Sequence, residues 1–261
     1  MKSAIFLAAS LFSACASLGA AAQSTPPTDA EVVFKNSGAN AILLELYSSE
    51  GCSSCPPAEA WISRLKDSPG LWRTVFPVVF HVDYWDGLGW SDRFAQPTYT
   101  DRQRTYAARL GQESVYTPEV IANAREWRDW YQGRRSSAVT PAVAGGELSL
   151  QLQDGGNSVS VKYFPSTAAL ARNYTAEVAL LGSNIHSDVR RGENAGHRLS
   201  HDFVVLGFRS KRLTKKESYE SGAITLKPTT NDVPSAVVGW ISAPDGKILQ
   251  VAGGWLALPP T

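Results

Sequence analysis

The chain has 261 residues, with 25 Lys and Arg against 24 Asp and Glu, and 43% of it is hydrophobic, 10% aromatic. That is enough apolar material for one large core or two small ones. A near-neutral chain without a basic cluster lacks the charge footprint for nucleic acid, and the Lys215-Lys216 and Arg190-Arg191 pairs read as solvated surface. No run after the N-terminal segment reaches the ~18 apolar residues of a bilayer span, so no membrane span is expected.

Residues 1–22 have the parts of a secretory signal peptide: Lys2, the apolar stretch AIFLAASLF, then small residues ending in Ala20-Ala21-Ala22. Cleavage after Ala22 is expected, and with it an exported protein, periplasmic or secreted. The alternative, a lipoprotein anchored at Cys15, fits less well because Phe12 stands where a Leu is usual. Cleavage removes Lys2 and no acid, taking the formal charge from +1 to 0, and it also removes Cys15. Cys52 and Cys55 are then the only thiols in an oxidising compartment, able to pair with each other or with another molecule.

From residue 23 a Ser, Thr, Pro and Ala-rich stretch reads as a loose arm, and Val32-Val33-Phe34 as a short strand. Residues 41–65, AILLELYSSEGCSSCPPAEAWISRL, are the stretch around which the chain is organised. Ile42, Leu44 and Leu46 alternate with Leu43, Glu45 and Tyr47, so both faces are mostly apolar and the run reads as a strand buried within a sheet. Gly51 breaks it. Pro56 and Pro57 suit a first helical turn, after which Ala58, Trp61, Ile62 and Leu65 recur at helical spacing. Cys52 thus falls just before a helix N-terminus and Cys55 at its first turn, where free N–H groups and the helix dipole favour a thiolate.

Three chemistries fit the pair. A structural staple closing a loop of about four residues would contribute only about 2 kcal/mol, against nearly 5 for a loop of about 100. A metal site would draw on His197 and His201 for zinc, or on His81 for copper held with the two thiolates. The third is dithiol–disulfide exchange, which the placement at a helix start favours.

A second apolar run, residues 74–82, comes after a Ser68-Pro69-Gly70 turn, and strand, helix, strand at this length implies a crossover and a parallel pair. It opens into HVDYWDGLGWSDRFAQP, a long aromatic loop expected on the same sheet edge as Cys52, with Asp83 and Asp86 as loop caps or polar handles. Residues 97–110 read as a helix closed by Gly111, with Tyr99, Tyr106 and Leu110 near one face. Thr117-Pro118 then opens a short strand, Val120-Ile121-Ala122.

This order of strand, CxxC helix, strand, helix, Thr-Pro and strand resembles the thioredoxin fold. The resemblance implies that Cys52 is the exposed nucleophile and Cys55 the resolving thiol. It further implies that Thr117-Pro118 is the cis-proline loop facing them, offering backbone groups to the substrate, and that Glu45 stands near the position of a buried acid that shuttles the resolving cysteine's proton. ELYSSEGCSSCPPAE, FHVDYWDGLGW, VYTPEV and RGENAGHRLSHDFVV together are similar to an uncharacterised family of secreted bacterial proteins, a domain of unknown function with a thioredoxin-like fold. The chain departs from characterised thioredoxin relatives in having Ser53-Ser54 between the cysteines and two prolines after them.

After Trp127 and Trp130, GRRSSAVTPAVAGG reads as a linker. Beyond it come short runs at residues 147–152, 158–164, 174–181, 203–208, 223–226, 236–242 and 247–252 with polar turns, the first two flanking an Asp154-Gly155-Gly156-Asn157 hairpin signal. GENAGHRLSHDF reads as a long polar loop among them. The expected architecture is therefore an α/β thioredoxin-like domain at residues 23–140 followed by an antiparallel β-sandwich domain at 141–261. The expected function is exported thiol–disulfide exchange through Cys52 and Cys55 on protein or small-molecule disulfides, with Thr117, Pro118, Tyr84, Trp85 and Trp90 shaping the substrate face and no cofactor. The competing expectation is a non-catalytic thioredoxin-like binding module, holding copper or zinc in one version.

Overall fold

The computed structural model describes residues 32–38, 40–132, 145–153, 157–166 and 173–256. Residues 1–22 with Cys15, most of the 133–146 stretch read as a linker, and the Asp154-Gly155-Gly156 part of the hairpin signal lie outside the described residues. In chain order the elements are β1 (Val32–Asn36), β2 (Ile42–Ser48), α1 (Pro56–Ser63), β3 (Val75–His81), α2 (Pro97–Leu110), β4 (Glu119–Ala122) and β5 (Arg125–Glu126). They continue with β6 (Gly146–Gln153), β7 (Ser158–Pro165), β8 (Thr175–Gly182), β9 (Ile185–Asp188), β10 (Arg198–His201) and β11 (Val204–Arg212). β12 (Thr214–Lys215), β13 (Tyr219–Thr225), β14 (Ala236–Ser242) and β15 (Ile248–Trp255) complete them.

The result is a mixed α/β protein with one mixed sheet, a separate antiparallel sheet and, among the described residues, two α-helices. The mixed sheet has eight strands in the order β15-β14-β8-β11-β3-β2-β4-β5. β2 and β3 run parallel, as the crossover through α1 requires, with Ile42 opposite Val75 and Ser48 opposite His81. β4 is antiparallel to β2 on its other side. β11 joins the free side of β3 in parallel at Val204 and Val79, where Val79 N–H donates to Phe203 O at 2.9 Å. The second sheet, β1-β6-β7-β13-β12, is antiparallel throughout, and β9 pairs only with β10.

Strands on the two sides of residue 141 therefore share one sheet. The reason is written in their composition: β8 (TAEVALLG) and β14 (AVVGWIS) are buried on both faces. Ala179, Leu181, Val238 and Trp240 join the core formed with β2, β3, α1 and α2. Their alternating neighbours Val178, Leu180, Val237 and Ile241 join a second core with Leu148, Leu150, Val159 and Val161 of the five-stranded sheet. Such strands serve two layers at once, as period-2 alternation allows. A sandwich interface exists, but half of it is the extended edge of the cysteine-bearing sheet. GENAGHRLSHDF, read as loop, contributes β10.

Candidate functional site

β2 ends at Ser48, and the chain turns sharply into α1. Gly51 lies against Trp85, where a Cβ would stand only 3.0 Å from the tryptophan Cβ, so the close approach favours glycine. Cys52 N–H donates to Ser49 O and Cys55 N–H to Cys52 O, both at 3.2 Å. Pro56 and Pro57 occupy the first two helical positions, where no N–H is needed, and the Cys55 carbonyl accepts from Ala58 and Glu59. Cys52 and Cys55 form a disulfide with Cα atoms 5.5 Å apart.

Both cysteines are fully buried, while Ser53 and Ser54 between them are exposed. Ser54 Oγ lies 3.3 Å from Cys52 Sγ, and the loop joining β9 to β10, from the later half of the chain, is bonded to the backbone of this turn. Asn194 Nδ2 donates to Glu50 O at 2.9 Å and to Cys52 O at 3.0 Å. Ser53 donates through its backbone N–H and its hydroxyl to Glu193, at 3.0 and 2.7 Å, and these bonds draw the Glu193 carboxyl below its usual range. The resemblance to thioredoxin implies an exposed first cysteine; here the loop closes over it.

Of the residues expected to shape the substrate face, several do gather here. The Thr117–Pro118 bond is cis, and Ser54 Oγ lies 3.5 Å from Thr117 O. Trp85 Nε1 donates to Thr117 Oγ1 at 2.8 Å. Tyr84 donates to Gln103 Oε1 at 3.3 Å, and burial pushes its phenol up to about 12. Trp90 turns the other way, donating to Glu50 Oε2 at 2.6 Å. Asp83 and Asp86 are loop caps: Asp83 accepts from Thr100 Oγ1 at 2.5 Å and Asp86 from Asp92 N–H at 3.1 Å.

Glu45 is placed elsewhere. It lies with Tyr47 on the sheet face covered by α2, whereas Ser48, on the opposite face, meets Glu59 of α1. Its carboxylate accepts from Arg102 Nε at 2.6 Å and from Tyr106 and Tyr47 at 2.6 and 3.1 Å. That environment commits it to an ion-pair network on α2, not to the resolving cysteine.

Directly beside the disulfide is a cluster that no stretch of the sequence assembles. Glu50, Glu59, His81, Asp92 and His201 are all at most 6% exposed. His81 Nδ1 lies 2.6 Å from Asp92 Oδ2, and His201 Nδ1 lies 2.6 Å from Glu59 Oε2. Ser48 donates to Glu59 Oε1 at 2.5 Å, and the N–H groups of Glu50 and Phe94 donate to Asp92. Burial alone would lower the His201 pKa, but Glu59 and Glu50 outweigh it and hold the imidazole up at about 10. His81 is likewise raised, against burial, by Asp92 and Glu59. In turn Glu59 is drawn down, against burial, by the two imidazoles. His197, the other histidine of HRLSH, is exposed.

Two local signals point to this cluster. Glu59 falls on the inward face of α1 with Ala58 and Ile62, an acid where the periodicity calls for an apolar residue. His81 ends a strand that is otherwise wholly apolar. Their partner His201 is 142 residues from Glu59, and no local pattern announces that contact.

Residues 43–241 match the profile of a protein family described as "Protein of unknown function (DUF1223)". Among curated proteins none matches the chain in sequence. Protein AGR_C_4864 from Agrobacterium tumefaciens, a crystal structure, is similar with a TM-score of 0.54 at 21% identity, over 84% of this chain and 95% of that one. HBP35 of Porphyromonas gingivalis is similar with a TM-score of 0.56 at 12% identity, over 83% of this chain and 75% of that one. At these identities the likeness is one of fold.

Proposed function

The chain belongs to the DUF1223 family, and since that description names no reaction, we propose from its own residues that it is an exported thiol–disulfide oxidoreductase acting through Cys52 and Cys55. The observation that carries the reading is the disulfide at the start of α1 with the Thr117 carbonyl beside it. The succession β2, α1, β3, α2, β4, β5, with sheet order β3-β2-β4-β5, supports regarding this part as a thioredoxin-like unit. The apolar, small-residue segment at positions 1–22 supports action after export.

In the exchange, a substrate thiolate attacks Cys52 Sγ, the Cys52–Cys55 bond breaks, and Cys55 leaves as a thiolate that takes up a proton. A second substrate thiolate then attacks its own sulfur in the mixed disulfide, releasing Cys52 as a thiol. The substrate dithiol is oxidised and the protein pair reduced by two electrons; the same steps in reverse reduce a substrate disulfide. The helix N-terminus favours whichever thiolate stands before it. Thr117 O and the aromatic side chains of Tyr84 and Trp85 border the approach, and the Glu193–Asn194 loop must swing aside before a protein substrate reaches Cys52. The partner is accordingly a protein or small molecule carrying a thiol or disulfide.

The competing reading is a binding module on an inert disulfide, and the complete burial of both cysteines favours it. Equilibrating the full chain against glutathione redox buffers, with reduction of a protein disulfide by dithiothreitol-recycled enzyme as readout, separates the two. Exchange predicts a pair that equilibrates within minutes and activity abolished in Cys52→Ser. A pair that stays oxidised under reducing buffer in the folded chain, or activity equal in Cys52→Ser, leaves the inert module.

A further inference from the structure

We propose that Ser54 is a catalytic residue of the exchange, its hydroxyl donating to Cys52 Sγ and holding the thiolate on that sulfur. The inference rests on the reading of Cys52 and Cys55 as an exchanging pair, and it deepens that reading by naming the sulfur that keeps the charge and the group that keeps it there.

The contact is direct. Ser54 Oγ lies 3.3 Å from Cys52 Sγ and 3.5 Å from Thr117 O. A sulfur held in a disulfide has no proton to give, so the hydroxyl is the donor in both contacts. One proton thus faces two acceptors, a neutral sulfur and a carbonyl. When Cys52 Sγ becomes an anion, a charge-assisted bond to it is about twice as strong as a neutral one. The hydroxyl then turns to the sulfur, and Thr117 O is left open to an N–H of the substrate. In the second step of the exchange Cys52 leaves the mixed disulfide with the bond's electron pair, and Ser54 stabilises that pair without giving up its own proton.

The backbone offers little competition. Among the described residues, Ser54 Oγ is the one hydrogen-bond partner of either sulfur, and Cys55 Sγ has none. The dipole of α1 favours an anion here, but the N–H groups of its first turn are spent or missing. Pro56 and Pro57 have none, and those of Ala58 and Glu59 go to Cys55 O at 2.9 and 3.1 Å. Before them, Cys52 N–H goes to Ser49 O, Cys55 N–H to Cys52 O, and both donors of Ser53 to Glu193, which leaves Ser54 itself. Both cysteines are fully buried, and burial disfavours a thiolate, so a single donor at one sulfur separates the two. The Ser-Ser spacer and the two prolines after Cys55 then have a joint reading: a side-chain hydroxyl takes the place of backbone donors that the prolines remove.

The charged groups around this turn are Glu50, Glu59, His81, Asp92 and His201 of the buried cluster, Glu193 of the covering loop, and Glu119 next to Pro118. None of them bonds to Ser54, so they act alike on the parent and on a Ser54 variant.

Ultraviolet thiolate absorbance against pH reads the sulfur without needing access to it. In the full chain carrying Cys15→Ser and Cys55→Ala, Cys52 is the only thiol and no disulfide has to be reduced. Adding Ser54→Ala should raise the midpoint by about one pH unit, a loss of about tenfold in thiolate below it, while Ser54→Thr stays near the parent. With both cysteines present and at a pH above both midpoints, Ser54→Ala should move the equilibrium with glutathione about tenfold toward the disulfide, ~30 mV more reducing. An unmoved midpoint in Ser54→Ala, or an equal shift in Ser54→Thr, overturns the assignment. A parent pair that never equilibrates with glutathione would sink the exchange reading instead, and the titration alone decides whether Ser54 holds the thiolate.

Discussion

Arg102 is the residue whose removal should cost the interior most. Its guanidinium reaches Glu45 at 2.6 Å and Glu177 at 2.5 Å, and it is surrounded by the rings of Phe80, Tyr106, Phe208 and Trp240. Arg102→Met leaves two buried carboxylates facing each other, with an expected loss of about 3–5 kcal/mol. Urea unfolding reads it directly, and combining Arg102→Met with Glu45→Gln and Glu177→Gln should recover part of the loss. A single variant as stable as the parent would mean that the network is not electrostatically coupled. Glu119 is a different case. It is fully buried beside Pro118, takes a bond from Gln103 Nε2 at 2.7 Å, and burial raises its carboxyl above the ordinary 4.5. A carboxyl raised in the folded state favours folding below the unfolded pKa, and that contribution is lost as pH climbs through the folded value. Glu119→Gln should therefore gain on the order of 1 kcal/mol over the parent at neutral pH, with the gain vanishing toward pH 4. Denaturation midpoints at the two pH values check it; a gain that persists in acid would point to packing instead.

At the scale of elements, the β9–β10 connection is the one whose role is most open to experiment. Glu193 and Asn194 fasten it over Ser53, Glu50 and Cys52 with four hydrogen bonds. Once the disulfide is reduced, Cys52 can be alkylated only when this loop lifts. A net hydrogen bond is worth about 1 kcal/mol, so Glu193→Ala with Asn194→Ala should raise the Cys52 alkylation rate by about tenfold or more. Mass spectrometric timing of carbamidomethylation on the reduced chain measures it. An unchanged rate would show that another element limits access.

For the whole molecule, the shared sheet has a consequence for dissection. Cutting after residue 140 would strip β11 from the free side of β3, leaving Val79 N–H without Phe203 O, and would uncover Trp72, which packs on Phe203 and Trp255. A fragment of residues 23–140 is thus expected to lack a cooperative unfolding transition and to bind hydrophobic dyes. Near-ultraviolet circular dichroism on the fragment tests this, and a sharp thermal transition would show that the cysteine-bearing half carries a sufficient core alone.

Much of the chain is legible residue by residue because its signals are local. Pro56-Pro57 and Gly111 bound the two helices, near-continuous apolar runs mark β2, β3, β8 and β14, alternating ones β6 and β7, and Thr117-Pro118 comes where strand order requires it. Even the cysteine pair's place at a helix start arises from spacing over a dozen residues. What periodicity does not encode is the partner of each face. A run such as AEVALL is equally good as a sandwich strand or as a central strand with two buried faces, and only packing against both α2 and the five-stranded sheet decides it. The burial of Cys52 and the meeting of His201 with Glu59 likewise depend on contacts 142 residues apart, set by how β10 docks on α1. Such contacts are fixed by the closing of the whole core, which is why the pair and its place at a helix start can be read in the sequence and its surroundings cannot.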